Sequence, residues 1–268
     1  SDALEALARV PHVYVPRIHG EFGQTRLNSH TLEPIDKVPC HTVILPGDDE
    51  FGGSFLLELS RGCKYQCKFC IVHYANGTAR YREYDSLIEI LDRYRDRYKK
   101  VGLLGAAVAD HPRVEDVTEW LVRHGKQAAT SSLRAERITE RFLDLLREGG
   151  QHNLTVAPES GDMDVRRTMR KGIPDEKYFR LAEWAGKRRF PSLKLYFLIG
   201  TPGADPMQEA TAIVHFSQRM GDVFCNSGGG RITIAVSPFV PKPFTPWACE
   251  AMWDPRSEEH TSGTPVTG

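Results

Sequence analysis

The sequence predicts an α/β fold in which a parallel sheet carries its helices on the outside. Three observations predict it. Strand-like apolar runs alternate with helix-like segments between Phe55 and Pro241, six such runs occur, and the connections are long enough for crossovers.

The run FLLELS (residues 55–60) opens the series as a short apolar strand. In DSLIEILDRYRDRYKK, residues Leu87, Ile88, Leu91, Tyr94 and Tyr98 fall on one helical stripe, with Asp85 as the expected cap. VGLLGAAVA is a buried-strand run, and RVEDVTEWLVRHG is a helix that Gly125 can end. QAATSSL leads to TERFLDLLREGG, where Phe142, Leu143 and Leu146 make the apolar face. NLTVAPES leads, through a longer loop, to DEKYFRLAEWAGKRR. LKLYFLIG precedes DPMQEATAIVHFSQRMG, in which Asp205, Pro206 and Gln208 read as cap, first helical residue and capping box. RITIAVSPFVP is the sixth strand. This pattern fits a barrel and a doubly wound sheet equally, and in both the chemistry gathers at the carboxyl ends of the strands.

Charge and composition narrow the function classes. The 35 basic residues balance 35 acidic ones, so no long-range field draws the chain to nucleic acid or an anionic membrane. No run of about 18 apolar residues occurs, and the expectation is a cytoplasmic enzyme. Residues 1–50, with prolines at 11, 16, 34 and 46, read as a linker and the tail of a preceding domain. Residues 51–255 read as the barrel. Residues 256–268 are expected to be non-native, because RSEEHTS back-translates to a common sequencing adapter.

Six cysteines are too few for a disulfide scaffold in a chain of this length. Cys40, Cys225 and Cys249 are expected to be small buried or half-buried hydrophobes. Cys63, Cys67 and Cys70 cluster as C-x3-C-x2-C in the loop after the first strand. Three thiolates are one short of a structural zinc shell, which His73 could complete. On a 4Fe-4S cubane, three cysteines leave one iron open to an outside ligand.

That spacing, with the aromatic Phe69 before the third cysteine, resembles the signature of the radical S-adenosylmethionine (SAM) superfamily. With SSLRAE, LTVAPESG and LKLYFLIGTP, residues 40–253 resemble radical SAM proteins that carry an N-terminal cobalamin-binding domain. The resemblance implies a partial six-stranded (β/α)6 TIM-like barrel, a 4Fe-4S cluster on Cys63, Cys67 and Cys70, and SAM as second cofactor. It implies reductive cleavage of SAM to a 5'-deoxyadenosyl radical, a one-electron reductant such as flavodoxin or ferredoxin, and a substrate that the sequence does not name. It leaves cobalamin-dependent methyl transfer open for the full-length protein. The alternatives are RNA modification of the methylthiotransferase type and a zinc-stabilised binding module.

The family's SAM contacts carry over residue by residue. Gly105 and Ala106 stand in the turn that receives the SAM amine, where Ala107 replaces the usual carboxylate and Asp110 is a candidate substitute. Ser132 and Arg134 match SAM-contacting positions, with the guanidinium suited to the methionyl carboxylate and an ion pair to Glu136 as the plainer reading. Glu159 matches the ribose-binding residue, Gly200 the close approach to adenine, and Tyr196 a stacking wall or core residue. The charges of RRTMRKG (Arg166, Arg167, Arg170, Lys171), just beyond Glu159, read as a solvated helix face, with guidance of an anionic or RNA substrate as the alternative, and the Gly-rich run NSGGG reads as a turn.

Overall fold

The computed structural model describes residues 2–11, 13–20, 34–38, 40–45 and 53–253. The chain divides into two compact units, Ser1–Lys37 and Val38–Gly268. The first holds helices α1 (Asp2–Ala8) and α2 (Pro16–His19), the latter started by a proline whose missing N–H costs nothing at a first turn. Residues 256–268, expected to be non-native, lie outside the described residues.

The second unit contains strands β1 (Phe55–Glu58), β2 (Ser60–Arg61), β3 (Arg80–Tyr81), β4 (Lys100–Leu104), β5 (Gln127–Thr130), β6 (Asn153–Glu159), β7 (Ser192–Ile199) and β8 (Arg231–Pro238). Its helices are α3 (Ile71–Asn76), α4 (Tyr84–Arg93), α5 (Val114–Arg123), α6 (Glu140–Glu148), α7 (Met163–Thr168), α8 (Asp175–Lys187) and α9 (Pro206–Asn226). Parallel pairing runs β1-β4-β5 and β6-β7-β8, and a parallel bridge from Leu133 to Val156 joins the two sets. The six parallel strands therefore follow chain order without reversal. A doubly wound sheet reverses direction at a switch point, so the ambiguity left by periodicity resolves to a partial TIM-like barrel. At one edge, part of the segment expected to be linker pairs with β1: His41 bridges Leu57, and Thr42 N–H donates to Leu56 O at 3.0 Å.

Alternation along the strands explains the layers. Phe55, Leu57, Val101, Leu103, Leu154, Val156, Leu193, Leu195 and Phe197 are fully buried within one continuous core. Leu87 and Leu91 of α4, Val117 and Leu121 of α5, and Phe142, Leu143 and Leu146 of α6 belong to the same core. Helix starts follow capping chemistry where an oxygen is available: Thr139 accepts from Phe142 N–H and Asp205 from Gln208 N–H. Asp85 is not the cap of α4. The helix starts two residues earlier after Glu83, and Asp85 sits in its first turn, where a carboxylate favours the helix dipole. Tyr98 lies beyond that helix, and its hydroxyl donates to Leu91 O at 2.7 Å.

The expected long loop after β6 contains α7, capped by Asp162, whose carboxylate accepts from Asp164 and Val165 N–H. The charges around it are not one solvated face. Arg167 is exposed, but Arg166 is fully buried, donating to Ser160 O at 2.8 Å and pairing with Asp175, with its guanidinium near the Tyr178 and Phe216 rings. Among the described residues, no helix is long and apolar enough to cross a membrane.

Candidate cofactor site

The short antiparallel pair β2–β3 presents the cysteine loop at the barrel mouth. Gly62 opens this loop in the left-handed region (φ 81°), and a Cβ there would stand 2.2 Å from Thr78 O. Only a residue without a side chain lets the loop fold back so tightly. Cys63 N–H then donates to Gly77 O at 3.1 Å, and Lys68 N–H to Met169 O at 3.0 Å, tying the loop to both its own end and the segment after α7. Phe69 packs against Met169, Phe239 and Trp247.

A cavity of about 210 Å³ is lined by Cys63, Cys67, Cys70, Phe69, Ala106, Ser132, Arg134, Glu159, Tyr65 and Lys171, among others. Contributions thus come from the ends of β2, β4, β5 and β6, where barrel chemistry gathers. The cysteines carry free thiols. Burial pushes the Cys63 and Cys67 thiols up, although Lys171 and Arg134 pull Cys67 the other way. Binding of iron would release those protons. Among the described residues, no set of three or more His, Cys, Asp or Glu side chains is gathered closely enough to hold one metal ion. Three cysteines line one cavity, and three thiolates are one short of a structural zinc shell but enough for a cluster in which each takes its own iron, so the donor set fits a 4Fe-4S group. His73 does not complete a shell: its Nδ1 lies 2.7 Å from Cys63 O, and it is not among the lining residues.

Arg134 forms the ion pair with Glu136 that the sequence allowed, at 2.6 Å, and it also lines the cavity, with Nη1 4.0 Å from Cys67 Sγ. Its guanidinium lies 3.5 Å from the Tyr65 ring centroid. Burial pushes the Tyr65 phenol up to about 12. Glu159 holds a left-handed backbone (φ 70°) at an irregularity in the β6–β7 register, a strained conformation of the kind that concentrates at functional sites. Lys171 Nζ donates to Glu159 Oε1 at 2.6 Å, with both side chains nearly dry. Sequence reading missed Tyr65, and named Lys171 without placing it in the cavity. The basic run marked Lys171 as solvated, and nothing in the local spacing marks either residue as cavity-lining.

Three expected residues are not among those lining this cavity. Gly105 does not line the cavity, and its Cα faces Ser60 Oγ. Gly200 has φ 73°, and the space a Cβ would take is met by Trp253 Cβ at 2.9 Å, so its close approach is to the chain itself. Tyr196 is not a core residue: it is exposed on the face of β7 opposite Leu195 and Phe197, turned away from the helices, with Lys194 Nζ 4.7 Å from its ring centroid. Asp110 does not replace the missing carboxylate at Ala107. Its buried side chain is taken by Arg137 at 2.7 Å, Tyr65 at 3.1 Å and Lys64 at 3.3 Å. Cys225 and Cys249 are exposed, not buried. A larger open trough of about 550 Å³ between the starts of α5 and α6 is lined by Glu115, Asp116, Arg137 and Arg141 and by no cysteine.

Residues 57–216 match the Radical SAM superfamily. An uncharacterized protein of Methanocaldococcus jannaschii is 28% identical over 220 residues, covering 81% of this chain and 47% of that protein. The tRNA-2-methylthio-N(6)-dimethylallyladenosine synthase of Chlorobium phaeobacteroides is 27% identical over 137 residues, 47% of this chain and 31% of that one. Among solved structures, the radical SAM methyltransferase TsrM of Kitasatospora setae, with cobalamin and a 4Fe-4S cluster bound, superposes with a TM-score of 0.58 at 17% identity, covering 73% of this chain and 36% of that one. The chain spans less than half the length of each of these proteins. With six parallel strands in chain order, three cysteines around one cavity and a family match across most of the barrel, this chain belongs to the radical SAM superfamily and is an enzyme of that class.

Proposed function

We propose that the cavity holds a 4Fe-4S cluster on Cys63, Cys67 and Cys70 and binds SAM between Arg134 and Glu159. The observation that carries this reading is the convergence of three thiols, one largely buried guanidinium and one largely buried carboxylate on a single cavity. A cluster held by Cys63, Cys67 and Cys70 would supply the one-electron reduction by which SAM is cleaved. Arg134, whose Nε and Nη2 are held by Glu136, offers its remaining edge to the methionyl carboxylate. Lys171 occupies Oε1 of Glu159, which leaves Oε2 to accept from the ribose hydroxyls. Phe69 and its apolar neighbours shield the thiols from water.

Anaerobic reconstitution with iron and sulfide tests the reading. It should give a broad visible absorption that dithionite bleaches, followed by release of 5'-deoxyadenosine from SAM, and Cys67→Ala should abolish both. Colourless stoichiometric zinc bound by Cys63, Cys67, Cys70 and His73 would sink it.

For the full-length protein we favour cobalamin-dependent methyl transfer, supported by the fold likeness to TsrM. Methylthio transfer to RNA is the second reading, supported by the partial identity with the tRNA-modifying synthase. Corrinoid retained by the full-length protein through gel filtration favours the first, and a second cluster together with tRNA binding favours the second. The electron donor is proposed to be a flavodoxin or ferredoxin.

A further inference from the structure

Arg134 is gripped in its own plane by Glu136, and its face lies on Tyr65, 3.5 Å from guanidinium carbon to ring centroid. Stacking uses the face of a guanidinium and spends none of its five N–H donors, so the in-plane edge not taken by Glu136 stays available. The remaining nitrogen, Nη1, lies 4.0 Å from Cys67 Sγ. One ion pair at Glu136 would leave Arg134 free to swing about that contact, and the ring beneath it removes this freedom.

Tyr65 is fixed in turn. Its hydroxyl donates to Asp110 Oδ1 at 3.1 Å, and the same carboxylate is pinned by Arg137 and Lys64. Asp110 follows β4, Tyr65 sits between the first two cysteines, and Arg134 and Arg137 follow β5, so three loops meet at one carboxylate. The Asp110 side chain is 2% exposed, and the charges around it outnumber what a simple turn residue would need.

We propose that Tyr65, held by Asp110, is a positioning residue that turns the free edge of Arg134 into the cavity and thereby sets its grip on a carboxylate ligand. This rests on the assignment of Arg134 to the SAM carboxylate. The two ideas separate when SAM and its decarboxylated analogue are compared as ligands, by anaerobic equilibrium dialysis, on reconstituted protein with iron counted per chain.

Tyr65→Leu, which removes the ring, should weaken SAM about tenfold while decarboxylated SAM changes by less than about twofold, with iron content unchanged. Tyr65→Phe keeps the ring, loses the bond to Asp110, and should fall between. Asp110→Ala, which removes the acceptor, should behave like Tyr65→Phe. Equal weakening of both ligands, no weakening of either, or loss of iron in Tyr65→Phe would overturn the proposal, because the tyrosine would then serve the loop and not the arginine. Arg134→Gln reports on the underlying assignment: if it fails to remove the preference for SAM over the decarboxylated analogue, the carboxylate reading itself falls.

Discussion

Replacing Lys171 by methionine removes one member of a pair whose side chains are only 8% and 12% exposed. Losing one partner of a buried pair typically costs about 3–5 kcal/mol, because the other charge stays dry and unpaired. The cavity gives Glu159 some access to water, so about 3 kcal/mol is expected, the lower end of that range. For a chain of this size each kcal/mol moves the melting temperature by about 2–4 °C, which makes the expected drop about 6–12 °C. Glu159→Gln alone should cost a similar amount by leaving the ammonium unpaired. The double variant, with neither charge, should lose no more than either single, about 3 kcal/mol, for a coupling of about 3 kcal/mol. Thermal and urea unfolding followed by circular dichroism under anaerobic conditions gives all four corners of the cycle. Additive losses, with a coupling below about 0.5 kcal/mol, would show that the two groups do not depend on each other and that Glu159 is held by something else.

The other predictions concern the scaffold around the site. Gly62→Ala places a Cβ against Thr78 O in a left-handed backbone, and should cost about 1–3 kcal/mol and lower the iron retained after reconstitution, measured by metal analysis. Asp175→Asn leaves the fully buried Arg166 without its counter-charge and should cost about 3 kcal/mol, whereas Arg167→Ala, at an exposed side chain, should stay within about 0.5 kcal/mol; equal losses in urea unfolding would refute the distinction. Burial pushes the Glu58 carboxyl up, but hydrogen bonds from Arg61, Cys40 and Arg82 outweigh it and hold the group below the usual range. A depressed carboxyl contributes stability that is present above its unfolded value of about 4.3 and is lost as pH falls through the folded value. Glu58→Gln should therefore flatten the acid side of a melting-temperature profile and leave its neutral plateau lower; an unchanged acid slope would contradict this.

Much of the site is local, and that part could be read directly. Cys63, Cys67 and Cys70 fall within one loop, so their spacing alone carries the cluster hypothesis, and the deficit of one sulfur points away from zinc. Helices α6 and α9 were legible because a 3.6-residue period and a capping oxygen are properties of neighbouring residues, and α5 from its period alone. Helix α7 was not, because it is six residues long and its charged residues mask the apolar face.

By itself, the sequence determined the alternation of strands and helices, the cysteine loop and the superfamily likeness. Only the tertiary structure decided that the strands follow chain order as a barrel, that Arg166 and Lys171 are dry while Arg167 is wet, that Trp253 meets Gly200, and that Asp110 clasps Tyr65 in place of facing the cavity. The physical reason is range. Periodicity and spacing report on residues within a few positions of each other, whereas the fate of a long polar side chain depends on which distant loop closes over it. The curvature of the sheet brings the ends of β2, β4, β5 and β6 to one mouth, and at that mouth a lysine from an apparently solvated run becomes the partner of a buried glutamate.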